Sequence, residues 1–181
     1  MRTVILILLM LAFDAVTAQE NFPDYMNKWE GKWVGNLVSI TDTNSEVSMP
    51  MELNIKPSNV KGEWIWDVKY GVDTAAVYIP NTLRYLSGGK FILKIMPDSI
   101  LMNMNYFLNK FYSVDKVQYD PKSPGLIETF SFEIRDSVIY YEETKTDMTN
   151  PRIAHPSTVH CEITFYSVYN VSRAELKKIR E

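Results

Sequence analysis

Apolar and polar residues alternate through most of the chain beyond Trp29, and a period of two predicts strands. EWIWDVKY shows it best, with Trp64, Trp66, Val68 and Tyr70 on one face and Glu63, Ile65, Asp67 and Lys69 on the other. MPMELNI sets Met49, Met51, Leu53 and Ile55 together. GKWVGNLVSI, KFILKI, SILMNMNYFL, FYSVDKVQY, LIETFSFEI, SVIYYEETK and TVHCEITFYSV read as further strands. AAVYI and TLRYL, on either side of Pro80, are less regular candidates. Turns are expected at TDTNSE, KPSNVKG, Ser87-Gly88-Gly89, Pro97-Asp98, Asn109-Lys110 and Arg135-Asp136.

Two stretches break the pattern. FPDYMNKW places Phe22, Tyr25, Met26 and Trp29 at helical spacing, which predicts a short amphipathic N-terminal helix lying against one end of the fold. SRAELKKI reads either as a short helix, with Ser172 and Glu175 as a capping box, or as a frayed last strand.

The strands number about eight to ten, follow one another through short turns and lack crossover helices, which excludes a parallel α/β fold. An all-β chain follows, either an up-and-down antiparallel β-barrel or a two-sheet sandwich. Short meander connections favour the barrel, which also removes exposed edges. The uneven segments 71–82 and 146–157 are expected to frame its mouth.

The N-terminus reads as a signal peptide. Arg2 precedes the apolar run VILILLMLAF, and Val16-Thr17-Ala18 supplies small residues for cleavage before Gln19. The run is too short to span a bilayer. Residues 1–18 are therefore expected to direct export, leaving residues 19–181 as one secreted or periplasmic domain with no membrane insertion. A net charge of −3 argues against a nucleic-acid partner. Cys161 is the only cysteine, so no internal disulfide forms, and its alternation with Val159 and Ile163 predicts a buried structural thiol. Asn170-Val171-Ser172 fits the glycosylation pattern.

Candidate chemistry rests on what points into the barrel. An eight-stranded barrel is packed solid or holds one small ligand. Trp64, Trp66 and Tyr70 on one strand, Met102, Met104 and Tyr106 on another, and Tyr140 are the expected lining of a cavity for a small hydrophobic or aromatic molecule. Tyr85 is a further hydroxyl of this kind. Glu128 or Glu142 is the candidate inward acid, and such a carboxylate in an open cavity would suit acid–base chemistry. No GxSxG, HExxH, CxxC or glycine-rich phosphate loop is present, so no catalytic residue is assigned. His155 and His160 lack metal-ligand spacing, and haem ligation by either rests on residue type alone. No metal or cofactor is expected. Three readings stay open: a ligand-binding barrel, a filled barrel serving as a structural or interaction module, and a small acid–base enzyme.

WEGKWVG, followed by short antiparallel strands, resembles the calycin superfamily, with lipocalins and their lipocalin-like relatives as the comparison. Gly31-Lys32-Trp33 matches the family's Gly-x-Trp at the first strand. The resemblance implies that Trp33 plugs the closed end and that a late arginine packs over it, Arg173 in preference to Arg180. GEWIWDVKYG also resembles part of a lipocalin-like family of exported proteins without an assigned activity. Barrels of this kind bind small hydrophobic molecules, and the fold does not select among them.

Overall fold

A computed structural model describes residues 23–41, 43, 45–96, 98–117, 124–154 and 163–179. The signal-like leader, His155, His160, Cys161 and Arg180 lie outside the described residues. The strands are β1 (Gly31–Thr41), β2 (Glu46–Pro57), β3 (Glu63–Tyr70), β4 (Val77–Ile79), β5 (Asn81–Ser87), β6 (Lys90–Ile95), β7 (Ile100–Phe107), β8 (Lys110–Val117), β9 (Leu126–Arg135), β10 (Val138–Ala154) and β11 (Ile163–Lys178).

Apart from β4, each strand pairs antiparallel with the next in sequence, β3 passing directly to β5, and β1 closes on β11. The result is a closed up-and-down barrel with ten strands in its wall. Strand β4 adds no position of its own. It continues the line of β5, because Val68 faces Ile79 and Trp64 faces Leu83 in one unbroken register along β3. Pro80 interrupts that line, having no N–H to give the ladder. The Asp67 carboxylate patches the break, accepting from the Tyr78 hydroxyl at 2.6 Å and from the Asn81 backbone N–H at 3.3 Å.

Three two-residue hairpins cluster at one end, at Gly88-Gly89, Leu108-Asn109 and Asp136-Ser137. Both residues of each have positive φ, the primed turn that matches strand twist. Two of these turns lie one residue away from the expected Asn109-Lys110 and Arg135-Asp136. Leu108 and Ser137 carry no left-handed signature, so the sequence does not mark them. The segment 146–157, expected as a loop, is strand as far as Ala154, with register shifts in the β10–β11 ladder after Lys145.

The closing seam explains a glycine. A Cβ on Gly35 would stand 2.0 Å from the Glu175 carbonyl oxygen, so β1 and β11 approach this closely only without a side chain there.

Both irregular stretches take forms set by packing. SRAELKKI belongs to β11 and is not a capped helix: Ser172, Ala174 and Leu176 are buried while Arg173, Glu175 and Lys177 are exposed. That is a period of two, and the capping box goes unused. The N-terminal segment forms a five-residue 3-10 turn, Asp24–Lys28, instead of an amphipathic α-helix. Residues three apart eclipse in a 3-10 turn. Met26 and Trp29 therefore point the same way, and both are fully buried in the barrel end.

Candidate functional site

Inward side chains on an antiparallel wall are spaced along the barrel axis, one every 6–7 Å or so. Strand β3 starts at the end closed by the N-terminal turn, so its inward residues Trp64, Trp66, Val68 and Tyr70 run from that end toward the mouth. Strand β7 runs the opposite way, through Met102 and Met104 to Tyr106. Inward position alone thus does not make a residue part of a cavity. Height along the axis decides it.

The closed end is packed solid. Trp29 meets Phe111 edge-on with ring centroids 5.0 Å apart, and Trp66 meets Phe111 and Phe132 at 5.4 Å each. Tyr25 stacks on Tyr106 at 3.9 Å with planes 6° apart. Trp33 donates its indole N–H to the Trp29 carbonyl oxygen. Burial pushes the Tyr25 hydroxyl up to about 12, with the Tyr106 and Tyr85 hydroxyls adding to it.

Above this floor the barrel is hollow. A cavity of about 480 Å³ is lined by Trp66, Val68, Tyr70, Met102, Met104, Asn81 and neighbouring apolar side chains. Ten strands enclose more width than side chains alone fill. The lower half is filled because Met26 and Trp29 are inserted into it, and among the described residues nothing plays that part in the upper half.

The cavity has two unlike walls. Strands β2 to β7 present Met49, Val68, Ile79, Leu93, Ile95 and Met102. Strands β9 and β10 present charge: Lys145 lies 3.4 Å from Glu128 and 3.3 Å from Glu143. The Tyr141 hydroxyl donates to Glu143 at 3.3 Å and shares a hydrogen bond with Tyr70. Burial raises the Tyr70 hydroxyl, and burial, Tyr70 and Glu143 raise that of Tyr141 well above its ordinary value. Burial on its own would lower the Lys145 ammonium, but the Glu143 and Glu128 charges outweigh it and hold it raised. Beside this wall, Ser39, Asn170 and Ser172 bond one another, with Asn170 Nδ2 donating to Ser39 at 2.9 Å.

Two buried groups on the lining have no partner: the Asn81 Oδ1 acceptor and the Trp66 Nε1 donor. The Asn81 amide nitrogen donates to the Ile79 carbonyl at 3.3 Å, which fixes the oxygen as the group left over.

The expected lining residues divide accordingly. Trp66, Tyr70, Met102 and Met104 line the cavity. Trp64 and Tyr106 face inward but belong to the packed end, where Trp64 reaches Glu30 and Tyr106 meets Tyr25. Tyr85 is also at that end, in contact with Phe91. Tyr140 lies outside the barrel. Ile139 and Tyr141 take the inward positions of β10, so Tyr140 faces out, with Arg135 4.3 Å above its ring. Glu142 is likewise outside, bonded by Arg173 at 2.8 Å, while Glu128 is inside. The cation over Trp33 is Lys178, at 5.4 Å from the ring, and not Arg173, because Trp33 pairs with Lys178 across the seam.

A larger depression, about 680 Å³, lies on the outer face of β1 and β8 to β11. Four of its charged groups pair with each other, Arg173 with Glu142 and Arg135 with Glu133, and it is open to solvent on the outside of the wall.

No protein-family model and no curated protein matches the chain. Among solved structures it is similar to the crystal structure of a protein of unknown function from the DUF3598 family of Nostoc punctiforme, with a TM-score of 0.56 and 9% sequence identity. The match covers 85% of this chain and 49% of that protein, so the chain spans about half its length. At that identity the likeness is one of fold.

Proposed function

We propose that the chain is an exported, lipocalin-like barrel that binds one small, largely apolar molecule non-covalently in its upper cavity. The observation that carries this reading is the division of the interior, packed with aromatic rings below and hollow above. A space of about 480 Å³ falls within the range of small-molecule sites. Its methionines and branched aliphatic side chains suit an apolar body of irregular shape. The polar wall around Lys145 and Tyr141 gives such a molecule a fixed orientation. The signal-like leader supports an extracytoplasmic place of action.

Native mass spectrometry of the protein recovered from its own source tests this reading. An added mass that is lost on denaturation is the expected result. A bare chain mass, together with no saturable uptake of any apolar probe, would overturn it.

A further inference from the structure

The charge on the cavity wall says which kind of apolar molecule fits. Lys145 is the only ammonium among the described residues lining the cavity, and two carboxylates, Glu128 and Glu143, already share it. Glu143, which itself lines the cavity, divides that ammonium with Glu128 and accepts a further bond from the neutral Tyr141 hydroxyl. Among the described residues lining the cavity, Glu143 thus has no cation to itself. On the opposite wall, Asn81 Oδ1 is a second acceptor, buried and without a donor.

We infer that the cavity selects a cationic amphiphile, an apolar body carrying a protonated amine, over an anionic one such as a fatty-acid carboxylate. This rests on the ligand-binding reading above and narrows it. An ammonium brings several donors, and the wall offers the Glu143 carboxylate to receive them. A carboxylate would have to compete with Glu128 and Glu143 for Lys145, and it would bring a third negative charge into a poorly solvated space. Trp66 Nε1 is an unpaired donor and favours an acceptor on the ligand. One neutral hydrogen bond is nonetheless weaker than a charge mismatch away from water, so charge decides.

The test uses three probes with the same chain, decylamine, decanol and decanoate, titrated calorimetrically into the whole protein near neutral pH and below their micellar concentrations. The expected order is decylamine, then decanol, then decanoate, with the amine ahead of the carboxylate by about tenfold or more. Glu143→Gln is expected to shrink the amine's lead over decanol to near unity while decanol still binds. Because the first comparison needs only the unaltered protein, it stands even if the variant does not fold. Decanoate binding as tightly as decylamine, or more tightly, would overturn the inference and leave the apolar-ligand reading intact. Binding of none of the three would overturn both.

Discussion

Trp33 donates its indole N–H to the carbonyl oxygen of Trp29 at 2.8 Å, within the buried floor of the barrel. The bond ties the N-terminal turn to the first strand, and Lys178 from the last strand covers the same indole. One residue thus joins the plug, the start of the barrel and its end. Trp33→Phe keeps most of the ring packing and removes the donor. It is expected to cost about 1–3 kcal/mol, read from chemical denaturation, because the bond is buried. An unchanged denaturation midpoint would show that the plug is held by packing alone.

Gly35 tests the closing seam. Gly35→Ala places a methyl group against the Glu175 carbonyl oxygen, a backbone atom that moves only with its strand. The expected loss is about 1–3 kcal/mol, as for other overpacked sites. Faster hydrogen exchange along β1 and β11 than along β6 and β7 would locate the damage at the seam. Exchange that rises evenly around the barrel would place it elsewhere.

Tyrosine ionisation predicts alkaline behaviour. The bond to Asp67, then slight burial, pushes the Tyr78 hydroxyl up to about 12, and burial does the same for Tyr25. A phenol raised in the folded state holds its proton where the unfolded chain has lost it. These groups' contribution is thus complete below their ordinary value of 10.0 and is lost as pH climbs from there through about 12. Ultraviolet titration should show a class of tyrosines ionising near the upper value, with Tyr78→Phe removing one of them. All tyrosines ionising together at the ordinary value would contradict the Asp67 bond and the packed plug.

The strand count, the meander order and the inward face of β3 were legible because Trp64, Trp66, Val68 and Tyr70 alternate cleanly with polar residues. Strand β10 was not. Val138, Ile139, Tyr140 and Tyr141 are all large and largely apolar, so nothing in VIYYEE marks the inner face, and the sequence alone points to Tyr140 and Glu142 where the barrel turns Tyr141 and Glu143 inward. The division of the interior was also hidden. Whether an inward aromatic is floor or lining depends on its height in the barrel and on the insertion of Met26 and Trp29, which alternation does not encode. Lys145 gave one missed signal. It stands two residues from Glu143, and the even spacing of Tyr141, Glu143 and Lys145 is the pattern of one strand face.

A ligand-sized hollow above a packed floor is the feature on which binding depends. The most direct measurement is a titration of the solvatochromic dye Nile red into the whole protein, alongside the variant Met102→Trp, whose indole would occupy the cavity. The expected result is a blue-shifted signal that saturates at one dye per chain, and a loss of affinity of about tenfold or more in a variant that stays folded by circular dichroism. Unsaturable uptake, or equal saturation by both proteins, would contradict it.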